Sequence, residues 1–501
     1  MPVRLAASRS GRAALALAAA GICAGTLAHG ALTATAAATF STPVAIPNSG
    51  GLGEPSLAAD SQGRLFVTAP QSLGTITGGG SPVWTSTDHG ATWNNGIAPT
   101  GDPVSGGDTD LAVDSAGNVY QTDLWLGDSA MAVSTDHGQS FIANEYGHTT
   151  PGDDRPWLAY SKKDNVLYMT WDGATALDVQ KSAPLSSPQL GILPGQTTAV
   201  IPESLLGGSL VNNLGNNVRQ CVCPPGGIAV DQNSGAVYVT YSKQNGGSLG
   251  GGVGVGISTN GGVTWTNTSI PGTGSTGSAF DVEYNFIPVK VDNNGTIYAA
   301  WGEGVNIKQD ANGNSIATGG VVIKYAYSKD GGSTWSAPKQ LSSGGTTTFP
   351  TLDVVSPGVI DVAWYGTSAT GDPNEVGSGA SWDVDFAQVT GADTATPAVS
   401  PATAVSGIHT GCIQTGGSAP CSDRSLLDFF QLSVDPTGMA NVIYTKGDAT
   451  NGTTLMFTRQ SASTTTTTKG HKKTKAGTTS GAGGTATAAQ LRAVYRSIRS
   501  F

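Results

Sequence analysis

The chain has 501 residues, 71 of them Gly and 26 Pro, and its 35 acidic and 25 basic residues give a formal charge of −10. The charge is unevenly spread: residues 1–38 hold three basic residues and 461–501 hold seven, with no acid in either, so 39–460 carries 15 basic and 35 acidic residues, a net −20. A body this acidic repels nucleic acid and anionic membranes, and its many short apolar runs without a sustained helical period exclude a helical protein and predict one large all-β domain.

In chain order, Arg4, Arg9 and Arg12 precede an Ala/Leu run that ends at Ala36-Ala37-Ala38. This is the pattern of a secretory signal, residues 1–38, interrupted by Gly21, Gly25 and His29 and short for a membrane span. Its removal leaves no transmembrane anchor, places the protein outside the cell or at its surface, and takes Cys23 away. Of the other four cysteines, Cys412 and Cys421 are the natural local disulfide. Cys221 and Cys223 are separated by one residue, where a mutual bridge is strained, so their pairing stays open.

From 39 to 460 one pattern returns seven times: an apolar strand, a turn of D-x-x-G type, then a strand rich in Val, Tyr and Trp. Leu111-Ala112-Val113-Asp114 followed by Val119-Tyr120 shows it clearly, and the other units begin at Ser56, Trp157, Ile228, Val289, Thr351 and Leu432. A second pattern, S-x-D/N-x-G-x-x-aromatic, occupies Ser86 to Trp93, Ser134 to Phe141, Ser258 to Trp265 and Ser328 to Trp335. Its carboxylate or amide accepts bonds from turn N–H groups, its Gly permits positive φ, and its aromatic is buried. Two hairpins per unit give four antiparallel strands, and radial repetition predicts a monomeric β-propeller that closes on itself. Seven blades is the expected count, with six as the alternative if the sixth or seventh unit is an insertion; Phe40 to Ile46 is expected to complete the last blade.

Beyond Arg459 the composition changes. Residues 461–487 read as a disordered Thr/Lys/Gly-rich tether, and 488–501 as a short basic amphipathic helix with Leu491, Val494, Tyr495 and Ile498 on one face and Arg492, Arg496 and Arg499 on the other. Such a tail suits an anionic cell-envelope polymer.

The S-x-D-x-G-x-x-W turn on propeller blades resembles the Asp-box, or bacterial neuraminidase, repeat of the sialidase-like superfamily, over roughly residues 40 to 460. The resemblance implies that Asp88, Asp136, Asn260 and Asp330 are structural turn residues placed away from any active site. Sialidases add an R-I-P motif and two further arginines that clamp the substrate carboxylate; here the matching stretch is Gly53-Glu54-Pro55-Ser56-Leu57, with the proline and without the arginine. A true exo-sialidase is therefore not expected, a three-arginine site from Arg155, Arg219 and Arg424 being its remaining route.

In a propeller of this strand order the start of each first strand and the end of each second strand share one face around the channel. Acids gather at those positions: Glu54, Asp108, Asp110, Asp153, Asp154, Asp281, Glu283, Asp423 and Asp428, with Arg155 and Arg424 among them and Trp171 beside Asp172 and Trp301 near Glu303. Carboxylates flanked by aromatics suit sugar recognition, and glycoside hydrolysis needs two carboxyl groups at a set separation. The expected reading is a secreted sialidase-like propeller acting on glycans, with Asp154, Asp281, Glu283 and Asp428 as catalytic candidates and Arg155, Arg424, Glu54, Asp110, Trp171 and Trp301 as substrate-binding candidates. The alternative is a non-catalytic glycan- or protein-binding propeller of the cell surface. No cofactor is called for, although the mouth acids, or Asp372, Asn374 and Glu375 with Asp383 and Asp385, have the chemistry to hold Ca²⁺. Asp310, Asn312 and Asn314 begin like an EF-hand loop, but Ser315 and Val321 break the match.

Overall fold

The computed structural model describes residues 37–71, 80–100, 106–125, 128–148, 153–173, 176–202, 210–211, 217–218, 225–243, 252–273, 282–283, 286–309, 315–415 and 421–461. Residues 1–36 of the expected signal, the basic tail from 462, Cys221, Cys223, Arg219, Asp281 and the Asp310 loop lie outside them.

Seven antiparallel sheets follow the seven sequence units. Blade 1 holds Ser56–Ala59, Leu65–Thr68 and Val83–Ser86, with the chain at Ile97 taking the fourth place through two backbone bonds to Val83. Blade 2 holds Thr109–Val113, Val119–Trp125, Asp128–Ser134 and Ile142–Asn144; blade 3 holds Trp157–Ser161, Val166–Asp172, Ala176–Lys181 and Gln196–Pro202. Blade 4 holds Pro225–Val230, Val237–Lys243, Gly252–Ser258 and Thr266–Ser269; blade 5 holds Val289–Val291, Ile297–Gly304, Val321–Ser328 and Lys339–Gln340. Blade 6 holds Thr346–Ser356, Val359–Thr367, Ser381–Thr390 and Ala398–Thr410. Blade 7 takes Gln431–Val434, Ala440–Asp448 and Gly452–Arg459 from the end of the domain, and its fourth strand, Val44–Ala45, from the beginning, with Val44 opposite Phe457. The ring is thus latched by the segment that the sequence predicts, and the count is seven.

The two turn motifs explain why these strands form where they do. In the first hairpin of blade 1, Asp60 Oδ1 accepts the N–H groups of Gln62 and Arg64, and Gly63 turns the chain at φ +81. In the octapeptide turn, Ser86 Oγ donates to Asp88 and accepts Gly90 N–H, while Asp88 accepts Thr92 N–H at 2.9 Å and Thr92 Oγ1 at 2.6 Å. The same bonds recur around Asp136 and Asp330, and around Asn260 the backbone bond is kept while the amide Nδ2 donates to Thr264 Oγ1. The turns also join blades: a Cβ on Gly90 would stand 1.9 Å from Phe457 of blade 7, and one on Gly138 would stand 2.4 Å from Thr85 of blade 1. Gly63 faces His89 and Gly117 faces His137, so both turn types occupy one end of the ring and leave the other end to the strand starts.

Apolar residues fill the spaces between blades, where Trp84, Trp171, Trp301, Trp382, Tyr168 and Tyr298 are among the fully buried side chains. At the centre, Trp157 meets Phe429 edge-on at 4.9 Å, Phe286 meets Phe349 at 5.9 Å, and Tyr365 stacks on Phe430 at 4.2 Å. Each such ring contact adds about 0.5–1.5 kcal/mol beyond burial. These rings come from blades 3, 5, 6 and 7, so the channel is plugged by aromatic packing next to the mouth. Cys412 and Cys421 form the expected disulfide, with Cα atoms 6.0 Å apart. Among the described residues no helix is long and apolar enough to cross a membrane.

Candidate functional site

Two pre-proline kinks build the site. Glu54 and Arg155 each stand immediately before a proline and two residues before the first strand of a blade, and both adopt left-handed backbone, φ 50 and 56. A non-glycine residue is rarely left-handed, and one before proline has less room still. The kinks turn both side chains toward each other across the ring, where closure also delivers Asp428 from blade 7.

Arg155 is the hub. Its Nη2 lies 2.5 Å from Asp428 Oδ2, its Nη1 lies 3.4 Å from both Glu54 Oε1 and Asp108 Oδ2, and its Nε lies 3.8 Å from Asp154 Oδ1. The guanidinium also stacks on Phe286, 5.0 Å from the ring centroid. Arg424 Nη1 binds the other oxygen of Asp428 at 2.6 Å, and Glu54 Oε1 accepts Asp428 N–H at 3.0 Å. Four carboxyl groups therefore share two guanidinium groups.

Burial and that imbalance together set protonation. Burial, reinforced by the Asp108 carboxylate, pushes Glu54 up to about 8 against the pull of Arg155. At neutral pH Glu54 is accordingly a neutral acid that accepts hydrogen bonds from Arg155 and Asp428 N–H, not half of an ion pair. Asp154 is pushed up to about 6, by burial first and then, against Arg155, by the neighbouring Asp108 carboxylate. Its side chain is nonetheless 53% exposed, so the carboxyl is open to the mouth. Asp428 has the opposite fate: burial works to raise it, but Arg155 and Arg424 together hold it below the ordinary carboxylate range. One mouth thus combines acids that keep a proton with one that loses it, the separation that acid–base chemistry requires.

The sequence candidates divide accordingly. Glu54, Asp154, Arg155, Arg424 and Asp428 converge, with Asp108 as a sixth member. Asp110 does not join them: it is buried, its Oδ2 accepts Leu158 N–H at 2.9 Å and its Oδ1 accepts Gln431 Nε2 at 3.2 Å, so it fastens blade 2 to blades 3 and 7. Trp171 and Trp301 are both 0% exposed and offer no ring face to a ligand. His148 covers Trp171 in a stack at 4.3 Å, and Trp301 Nε1 donates to Glu303, itself paired with Lys324. Glu283 lies in a two-residue strand opposite Gly302. Asp153 is buried against Ser129 and His148. Asp372 fixes its own loop by accepting from Asn374 and Ala317 N–H, while Asp383 accepts Gly407 N–H and Asp385 accepts Thr403 Oγ1. Among the described residues no group of three or more His, Cys, Asp or Glu is arranged to hold a metal ion.

The sequence reading passed over an aromatic pair on the same face. Trp125 ends the second strand of blade 2 and meets Tyr146 edge-on at 5.8 Å; Tyr146 is 55% exposed. A Trp at a second-strand end, followed by a short hairpin, carried the same signal as Trp171 and Trp301.

No family model and no curated protein matches the chain. Among solved structures, it is similar to a protein of unknown function from Dyadobacter fermentans DSM 18053, at 12% identity over 84% of this chain and 98% of that one, with a TM-score of 0.43. It is also similar to a GH74 xyloglucanase from Xanthomonas campestris, at 15% identity over 82% of this chain and 53% of that one, with a TM-score of 0.47. The alpha-l-arabinofuranosidase arb93a from Fusarium graminearum matches at 14% identity over 65% of this chain and 93% of that one, with a TM-score of 0.38.

Proposed function

We propose that the chain is a secreted glycan-acting propeller whose mouth hydrolyses a glycosidic bond between Asp154 and Asp428. The observation that carries this reading is the single guanidinium that holds both acids, through Nε on one side and Nη2 on the other. Two nitrogens of one guanidinium are about 2.3 Å apart, so the bound oxygens lie within roughly 9 Å of each other, a span that accommodates the ~5–5.5 Å of retaining and the ~6.5–9.5 Å of inverting carboxyl pairs. Asp154, half exposed and still protonated in mildly acidic solution, donates to the leaving oxygen. Asp428, kept ionised by two arginines, acts on the other side of the ring as nucleophile or base. Glu54 and Arg155 position them.

The fork of Arg155 is filled by four carboxyl groups, so a carboxylated sugar finds no open bidentate clamp there. With that fork filled and the body between 39 and 460 carrying a net −20 that repels anionic polymers, the substrate class is neutral or amine-bearing glycans. Purified protein is expected to release reducing sugar from such glycans, and Asp154→Asn and Asp428→Asn are expected to abolish release while the fold persists. One observation favours the binding alternative: Arg424, 37% exposed, can grip a ligand without any proton transfer. Saturable binding without release, weakened by Arg424→Ala, would replace hydrolysis with that reading.

A further inference from the structure

We infer that Trp125 and Tyr146 form an outer subsite that holds a sugar ring of a neutral or amine-bearing glycan chain whose other end reaches the mouth. The inference rests on the glycan-acting reading and extends it from a reacting bond to a polymer. Three observations on blade 2 carry it.

The first is continuity. Leu124 N–H donates to Asp108 O at 2.9 Å, so Trp125 stands one residue from the backbone partner of Asp108, whose carboxyl touches Arg155. Moving outward along the blade, the order is Asp108, Trp125 and then Tyr146, on the end of the ring where first strands begin. The second is presentation. Trp125 Nε1 donates to Glu145 O at 2.8 Å, which fixes the indole, and the edge-on contact with Tyr146 leaves the phenol largely in solvent. Buried aromatics elsewhere in the ring lie between blades, whereas this pair stands outside every core cluster. The third is chemistry. Asp128 is the cross-strand partner of Trp125 and so shares its sheet face, and its carboxylate is 19% exposed. An aromatic face beside a carboxylate acceptor matches the apolar face and hydroxyl edge of a sugar ring.

The test is affinity electrophoresis of the full chain through gels containing soluble laminarin, chitosan or polygalacturonate, run with wild type, Asp154→Asn, Tyr146→Ala, Trp125→Ala and Trp125→Phe. Wild type and Asp154→Asn are expected to be retarded by laminarin or chitosan and not by polygalacturonate. Tyr146→Ala and Trp125→Ala are expected to weaken retention about tenfold, the loss of one ring contact, and Trp125→Phe to keep most of it. Tyr146 is exposed, so Tyr146→Ala tests the subsite without endangering the fold. Unchanged retention in Tyr146→Ala, or no retardation of wild type in laminarin and chitosan, overturns the subsite. Retention that responds to Tyr146→Ala in a protein that releases no sugar overturns hydrolysis instead and leaves the subsite standing.

Discussion

Replacing Glu54 by Gln isolates the electrostatics of the mouth, because the amide keeps the oxygen that accepts Asp428 N–H and removes only the ability to ionise. The carboxyl pKa rises from 4.5 in the unfolded chain to about 8 in the folded one. A group raised in this way contributes its full stability below pH 4.5 and loses it as pH climbs toward 8, since the unfolded state ionises freely and the folded state resists. At 1.36 kcal/mol per unit, the amide is worth about 1 kcal/mol over the carboxyl at pH 5, about 3 at pH 7 and about 5 above pH 8.5. Urea unfolding followed by tryptophan fluorescence at those three pH values is expected to show Glu54→Gln increasingly more stable than wild type. A difference that is flat with pH, or a variant less stable than wild type at pH 8.5, would refute the claim that Glu54 is a neutral buried acid. A stabilising replacement at a site lined by reactive groups is also expected to lower activity, the usual trade at functional residues.

The remaining predictions address the chemistry and the ring. If Asp154 is the proton donor, the rate is expected to fall as pH rises through about 6, the value to which the group is raised, and Asp154→Asn removes that limb from the pH profile. Asp136→Ala loses bonds from Ser140 N–H, Ser140 Oγ and Ser134 Oγ and is expected to lower stability by about 1–2 kcal/mol in denaturant titrations. Although burial opposes it, these bonds hold the Asp136 pKa down at about 2, so its contribution is present above the ordinary carboxylate range and disappears as pH falls toward 2. Cys412→Ser with Cys421→Ser opens a short loop and is expected to cost about 2–3 kcal/mol, read as a lower urea midpoint that reductant reproduces in wild type. Deleting 39–46 removes the strand opposite Phe457 and Met456, exposes the edge of blade 7, and is expected to lower the thermal midpoint and produce concentration-dependent association.

The ring was legible because its signals are local. Six of the seven first hairpins carry their own Asp and Gly within five residues, and Asp164-Asn165 stands in at blade 3, so the seven units could be counted without tertiary information, and the octapeptides identified which end to ignore. The membership of the mouth was also largely legible, since strand starts share one face. What the sequence withheld was convergence: Glu54 and Asp428 are 374 residues apart and meet only because the ring closes. Side-chain burial was withheld too. Trp125, Trp171 and Trp301 all stand near second-strand ends, yet Trp171 is covered by His148 and Trp301 is locked between blades, while Trp125 borders solvent. Asp110 was misread for the same reason: two residues from Asp108, it is drawn inward by a backbone donor from the next blade.

The case for function at the mouth rests finally on where the costs of the fold accumulate. Left-handed residues at the other end of the ring, such as His89 and His137, sit in tight turns that need them. Glu54 and Arg155 are left-handed ahead of prolines at strand entries, where blade 2 manages with Gly106, and Phe349 is left-handed ahead of Pro350 inside the first strand of blade 6. Each such kink carries roughly 1–3 kcal/mol of strain. At two of the three, the kinked side chain is one whose burial adds a further penalty: a carboxyl held uncharged, and a guanidinium withdrawn from water. Seven blades could close around apolar strand starts with none of this, as the Trp157, Phe286 and Phe429 cluster shows a few ångströms away. Strain, buried ionisable groups and an excess of two carboxyls over guanidinium groups coincide at one opening, and a ligand that uses those acids is the simplest physical reason for a ring to keep them there.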